Sequence, residues 1–332
     1  MTAPESTPDY VVVGAGAIGG TVGARLVSDG QSVLFCDVAV DHVRAINSDG
    51  LRIEGPVEQL RVQAPAVIPA DLPTDLHRVL LSVKAQDTAA ALRDLTSRLA
   101  PDGFVVSLQN GLNESVIAHT VGETRTVGGF VNFGADYIEP GRIFFGGHGA
   151  FFIGELDGRP SDRVANLVRD IRYSHATDNI FGYLWSKLAY AAILAATAVS
   201  DLSMVAALDE PRYRPLFVAL AGEVLAQAKA RPESFDGFDP EDLDGSITRL
   251  ADFNRSSGKT HSGIHRDLAV RRRPTEVDAL FAGVEGPLLA RTLELIHEIE
   301  AGRRRCEQAN LDALAEFAQV LSTQTPSCAG AG

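Results

Sequence analysis

Residues Tyr10 to Gly20 read Tyr-Val-Val-Val-Gly-Ala-Gly-Ala-Ile-Gly-Gly. An apolar run passes straight into Gly14-x-Gly16-x-x-Gly19, and few folds tolerate that order. The first glycine permits a tight turn, the second lets backbone approach a pyrophosphate, and the third lets a helix pack closely on the strand before it. The N–H groups that open such a helix, here near Ala17 and Ile18, then face the negative charge. A second apolar run, Ser32-Val33-Leu34-Phe35-Cys36, ends at Asp37. This acid lies about 20 residues beyond the glycines, where a carboxylate can take the ribose hydroxyls. The cofactor-binding set expected on this ground is Gly14, Gly16, Ala17, Ile18, Gly19 and Asp37.

The rest of the first half keeps the same rhythm. Strands are expected at Tyr10–Val13, Ser32–Cys36, Val79–Val83, Phe104–Leu108 and Thr126–Asn132. Helices are expected at Gly19–Asp29, Val40–Asp49, Thr88–Leu99 and Asn113–Val121. Alternation of this kind builds an α/β fold, a doubly wound parallel sheet with helices on both faces. Arg142–Phe145 and Ala150–Ile153 flank Gly146-Gly147-His148-Gly149 and read as two antiparallel strands around a turn. Asp157–Arg172 reads as the last helix of this half. Beyond about residue 179 the pattern turns helical, at Ile180–Val199, Arg212–Ala230, Ile247–Arg255 and Gly286–Ala301. The expected organisation is a dinucleotide-binding domain over 1–178, a helical substrate and dimerisation domain over 179–322, and a disordered tail over 323–332. Met1–Pro8 reads as a loose arm.

Composition removes several function classes. Thirty basic against 43 acidic side chains give a net charge of −13, which argues against a general nucleic-acid binder. Cys36, Cys306 and Cys328 have no metal-ligand spacing, and no metal site is expected; Cys36 should point from its strand into the core. Absence of a disulfide pattern fits a reducing, cytoplasmic setting. Ile180–Ser200 approaches the length of a membrane span, but Lys187 sits inside it. A central lysine costs roughly 2.5–3.5 kcal/mol on insertion scales, so the reading is a buried helix and no membrane partner.

Polar residues at strand ends carry the expected chemistry, because ligands bind beyond the carboxyl ends of a parallel sheet. Lys84 follows one strand and offers a point charge to a carboxylate or phosphate. Ala85-Gln86-Asp87-Thr88 can cap the next helix. Gln109-Asn110-Gly111 follows another strand, and the Asn110 amide can both donate and accept. Lys187 must snorkel to solvent or occupy a polar pocket. In a pocket it suits a general acid that protonates a carbonyl oxygen as hydride reaches carbon. Thr260–Asp267 and Arg271–Asp278 form a third cluster. Its arginine run can bind substrate charge or pair with acids such as Asp267 and Glu276. His261 and His265 are read as structural.

Five blocks, taken together, resemble the ketopantoate reductase family: Gly14–Gly20, Ser82–Ala85, Gln109–Gly111, Trp185–Leu188, and Ser262 to Asp278. The resemblance implies a Rossmann-type domain followed by an all-helical domain, with substrate in the cleft between them. It implies hydride transfer between NAD or NADP and a small 2-oxo or 2-hydroxy acid. Lys187 would then be the general acid, and Glu276 would hold the substrate hydroxyl and the lysine. Asn110 would position cofactor and substrate, with Lys84 near both and Ser262 touching the substrate carboxylate. Two departures stand out. The family usually carries asparagines where this chain has Ala191 and Ala195, which implies a less polar or differently shaped substrate. Asp37 and Asp41 occupy the segment where members using the phosphorylated cofactor tend to place a basic residue, which implies NAD over NADP. A C–N oxidoreductase and a non-catalytic cofactor-binding sensor are the alternative readings. A homodimer through the helical half is a possible assembly.

Overall fold

The computed structural model describes residues 7–256 and 260–324. It divides after Leu184 into two compact units. Most of the expected arm (residues 1–6) and tail (325–332), with Cys328, lie outside the described residues.

In the first unit the strands are β1 (Tyr10–Val13), β2 (Val33–Cys36), β3 (Leu51–Glu54), β4 (Leu60–Val62), β5 (Ala66–Val67) and β6 (Leu76–Leu81). They continue with β7 (Leu99–Ser107), β8 (Thr126–Val131), β9 (Gly134–Glu139), β10 (Arg142–Gly147), β11 (Phe151–Glu155) and β12 (His175–Ala176). The helices are α1 (Ala17–Ser28), α2 (Val40–Asp49), α3 (Thr88–Leu95), α4 (Glu114–Val121) and α5 (Asp162–Asp170). The large sheet has the order β12-β11-β8-β7-β6-β1-β2-β5. Its central strands β2, β1, β6, β7 and β8 are parallel, and β11 runs antiparallel to β8.

Both sheet faces are covered, so the central strands β1 and β2 are continuously apolar and buried. Val12, Phe35, Leu80 and Val106 face one core with Val22 of α1 and Leu167 of α5. Val11, Val13, Leu34 and Leu81 face the other with Leu92 of α3 and Ile117 of α4. Cys36 is fully enclosed, and burial pushes its thiol up to about 12. The chain leaves β1 toward β2 and later returns to add β6 on the opposite side of β1. That reversal opens a crevice at the carboxyl ends of β1 and β6.

The sequence reading contains no second sheet, and the structure has one, in the order β4-β3-β10-β9. It packs on α1: an added Cβ on Gly20 would lie 2.3 Å from Ile143 of β10. Arg25 of α1 stacks 4.4 Å from the Phe145 ring centroid and is held by Glu58 at 2.7 Å. The expected hairpin of Arg142–Phe145 with Ala150–Ile153 is therefore corrected. β10 pairs antiparallel with β9 and parallel with β3, whereas β11 pairs with β8 in the large sheet. A tight turn through Gly141, at φ +77°, gives β10 its partner on the other side.

The second unit is helical. The long helix α6 (Ile180–Ala198) begins just before the division. It is followed by α7 (Met204–Asp209), α8 (Arg214–Leu225), α9 (Leu243–Ser256), α10 (Gly263–His265), α11 (Val277–Leu280), α12 (Pro287–Glu300) and α13 (Gln308–Gln324). α7 and α13 have no counterpart in the sequence reading, and α13 continues into the expected tail. The α6 helix has the length and apolarity of a membrane span, and 72% of its most apolar window is buried inside the protein. Glu223 of α8 accepts from the N–H groups of Leu288 and Leu289 at 3.1 and 3.0 Å, which caps α12. Gly286 is needed there, because a Cβ would fall 1.7 Å from the Glu223 carboxylate.

Candidate cofactor and active-site residues

The glycine turn is built from backbone. Gly14 has φ +91°, and a Cβ there would lie 2.7 Å from the Val83 nitrogen. A Cβ on Gly19 would lie 2.2 Å from both the Gly14 carbonyl and the Ser82 hydroxyl. These two glycines are thus required by the fold itself. Gly16 differs: an added Cβ would meet nothing within 4 Å. Ala17 and Ile18 are half-buried, and the first turn of α1 carries neither a side-chain cap nor an acid. The open side of Gly16 and the uncapped amides fit a pyrophosphate.

Asp37 leaves the end of β2 and turns back on this loop. Its Oδ2 accepts from the Ala15 N–H at 2.9 Å, and its Oδ1 accepts from the Ala39 N–H at 2.9 Å. Two backbone donors hold the carboxylate in place, half-exposed, with lone pairs to spare for further donors. Val38 beside it is 78% exposed, an apolar surface next to the acid. Arg44 points into solvent and pairs with Asp41 at 3.4 Å.

His42 braces the turn, and the sequence reading did not name it. The Gly141 N–H donates to its Nδ1 at 2.9 Å, so the neutral ring carries hydrogen on Nε2. Nε2 therefore donates to the Ala15 carbonyl, also at 2.9 Å. The small sheet thereby supports the glycine loop. A helix histidine has no local signature for such a role.

The β6 and β7 ends lie next to the turn in the sheet. Ser82 Oγ donates toward the Val13 and Gly14 carbonyls at 3.3 and 3.1 Å. Lys84 follows in extended backbone, and Asn110 is exposed just before Gly111, at φ +90°. The expected cap at Thr88 takes a different form. Asp87 is the N-cap of α3 without a side-chain bond, and the Thr88 hydroxyl donates back to the Ala85 carbonyl at 2.8 Å.

In the second unit, α6 carries Lys187 and Ala191, both partly exposed, with Leu194 on the same stripe. Ala195 is 0% exposed. Ser186, next to Lys187, is buried and accepts from the Glu233 N–H at 2.9 Å. Glu276 is half-buried at the start of α11. The Ser262 hydroxyl is buried and accepts from the His265 N–H at 3.2 Å, which caps α10. The arginine run pairs with an acid: Arg271 and Arg273 meet the buried Asp267 at 3.1 and 2.9 Å. His265 is buried against His261, and desolvation holds its pKa below the ordinary imidazole value.

Comparison with known proteins decides the family. Residues 10–158 match the model for ketopantoate reductase PanE/ApbA, and residues 179–300 match the model for its C-terminal domain. The chain belongs to the ketopantoate reductase family. It is accordingly a nicotinamide-dependent oxidoreductase that acts on a CH–OH group. A 2-dehydropantoate 2-reductase of Halobacterium salinarum is 28% identical over 281 residues, which covers 82% of this chain and 90% of that protein. One from Streptococcus pyogenes is 25% identical over 311 residues, covering 87% and 97%. Among solved structures, D-mandelate dehydrogenase with NADH and anilino(oxo)acetate superposes with a TM-score of 0.77 at 21% identity, covering 88% and 99%. A PanE/ApbA family ketopantoate reductase from Ralstonia eutropha JMP134 gives 0.70 at 23% identity, covering 95% and 99%. At these identities the structural likeness shows the fold: a Rossmann-type sheet followed by a helical domain.

Proposed function

We propose that this ketopantoate reductase family member transfers hydride between NAD, in preference to NADP, and a small 2-oxo or 2-hydroxy acid less polar than ketopantoate. The observation that carries the cofactor preference is the anchored Asp37 carboxylate. The lone pairs that remain on its two oxygens can accept from a ribose diol. The carboxylate repels a 2′-phosphate placed a few ångström away, by about 4 kcal/mol per charge pair near a protein surface before screening by salt. Asp41 adds to the repulsion, and Arg44 is already paired with it.

Gly14, Gly16, Ala17, Ile18 and Gly19 would hold the pyrophosphate, with Lys84 adding positive charge. When bound, the nicotinamide supplies or accepts the hydride. Lys187 would give a proton to the substrate oxygen during reduction and take it back during oxidation. Glu276 would fix that oxygen and the ammonium, and Asn110 would orient the reacting groups. Ser262 would touch the substrate carboxylate through its O–H, since in the cap its oxygen only accepts. The apolar substrate preference is supported by Ala191, at a position where the family usually has an asparagine, and by Leu194 on the same partly exposed stripe as Lys187; Ala195, the second such position, is fully enclosed. A site without those amides cannot discriminate in favour of a hydroxylated side chain. The structural neighbour that carries NADH and an oxoacetate fits the same class of ligand. The reading assigns the dinucleotide to 1–178 and the substrate to 179–322, in a cytoplasmic homodimer.

The test is a turnover screen of 2-oxo acids, 2-hydroxy acids and amino acids with each cofactor, followed at the reduced nicotinamide absorbance band. Preferential turnover of apolar 2-oxo or 2-hydroxy acids with NAD(H) is expected. Turnover confined to amino acids would transfer the chemistry to a C–N bond. Tight NADH binding with no turnover would make the protein a sensor.

A further inference from the structure

The turns that carry Lys84 and Asn110 are tied together from beneath by a side-chain network. Gln109 Nε2 donates to the Val83 carbonyl at 2.9 Å and to the Thr88 hydroxyl at 2.7 Å. The Thr88 hydroxyl donates to the Ala85 carbonyl at 2.8 Å, with Asn113 Oδ1 at 3.3 Å. Asn113 Nδ2 donates to the Asn110 carbonyl at 2.6 Å. All three side chains are buried, Gln109 at 4% exposure. The orientation of the Gln109 amide is determined, because the Val83 carbonyl can only accept and must face the nitrogen. Both N–H groups are then spent, while Oε1 is buried with no hydrogen-bond partner among the described residues. Gln109 thus works through its donor end alone, and that end bridges the residue before Lys84 to the helix start that follows it.

We propose that Gln109, acting with Thr88 and Asn113, is a positioning residue that sets the spacing of the Lys84 and Asn110 turns and so the affinity for the nicotinamide cofactor. This rests on the reading that both turns receive the cofactor. A glutamine that merely fills space would be replaced by methionine with no change in cofactor affinity. A glutamine that holds the turns through its donors would not. Gln109→Met removes both donors at similar volume, and Gln109→Glu turns a second acceptor toward the Val83 carbonyl.

The experiment is fluorescence titration of NADH onto wild type, Gln109→Met, Gln109→Glu, Thr88→Val, Thr88→Ser and the Gln109→Met/Thr88→Val double variant, with Tm measured for each. The Kd should rise about tenfold for Gln109→Met and for Thr88→Val, as expected for loss of one or two buried hydrogen bonds. It should rise further for Gln109→Glu and stay near wild type for Thr88→Ser. The double variant should bind no worse than about the weaker single one, because the residues act as one network. Lowered Tm with unchanged Kd would overturn the proposal and leave only a structural role. Wild-type Kd for both the methionine and the glutamate variant would overturn it too. If wild type fails to bind any nicotinamide cofactor, the cofactor reading falls and this inference with it; if wild type binds and the variants match it, this inference alone falls.

Discussion

The glycine turn of the first unit and the α6 region of the second carry different kinds of site. In the turn the chemistry is backbone, and the residues are chosen by what they lack. Gly14 and Gly19 leave no room for a Cβ, while Gly16 leaves room that the protein does not fill. On α6 the proposed chemistry is a side chain, Lys187, and its neighbours on the partly exposed stripe are apolar. A backbone site is announced by spacing, because sterics permit few alternatives. A side-chain site needs only the right group in the right place, and many sequences supply that. The comparison implies that substitutions in the turn act on binding and folding, and substitutions on α6 act on chemistry and substrate choice.

The largest effect should come from the α6 side. Lys187→Ala is expected to lower kcat by roughly 10²–10⁴, the usual contribution of a positioned acid, with the cofactor Kd little changed. Steady-state kinetics with saturating cofactor measures this, and an unaltered kcat would remove the lysine from the mechanism. The next effect separates two glycines of one motif. Gly16→Ala should fold with wild-type Tm yet bind NADH about 10- to 100-fold more weakly, since only the ligand would meet the new methyl. Gly19→Ala should lose about 1–3 kcal/mol of stability or more, because its methyl would collide with the Gly14 carbonyl. Equal Tm losses for both would erase the distinction between binding and folding glycines. Asp37→Ala should weaken NADH about tenfold and narrow the gap to NADPH. An unchanged ratio of the two Kd values would show that selectivity lies elsewhere.

The smallest effect is one of stability. Desolvation lowers the folded pKa of His265. Above the ordinary imidazole range, folded and unfolded chains both hold the neutral ring. As pH falls through about 6.5 the unfolded chain takes up a proton first, so stability drops until pH passes below the lowered folded value. Wild type should therefore lose Tm between pH 7.5 and 5.5, and His265→Gln should lose less over the same interval. Parallel curves would mean that His265 contributes nothing to the acid sensitivity.

Legibility followed the same division. Continuous apolar runs and the glycine spacing revealed the parallel sheet, since both faces of β1 and β2 are buried. The small sheet escaped because β3 and β4 are short: Leu51, Ile53, Leu60 and Val62 alternate with Arg52, Glu54 and Arg61, but over only four and three residues. The expected hairpin differs for a related reason: β10 has a candidate partner on each side in sequence, and it pairs with β9 through the Gly141 turn while β11 joins β8. His42 and the Gln109 network were not identified because they act on backbone carbonyls brought close by the fold. Gln109 lay in a motif already singled out, yet nothing local showed that its amide reaches Val83 and Thr88. In the second unit the pairing of Arg271 and Arg273 with Asp267 was legible as one of two readings, since an acid stood near in sequence.

The account depends most on the loop that Asp37 fixes beside Ala15. Parallel titrations of NADH and NADPH onto the wild-type protein, at one ionic strength, test it directly. The account predicts saturable binding of both with NADH the tighter by at least about tenfold. Tighter binding of NADPH, or no binding of either, would contradict it.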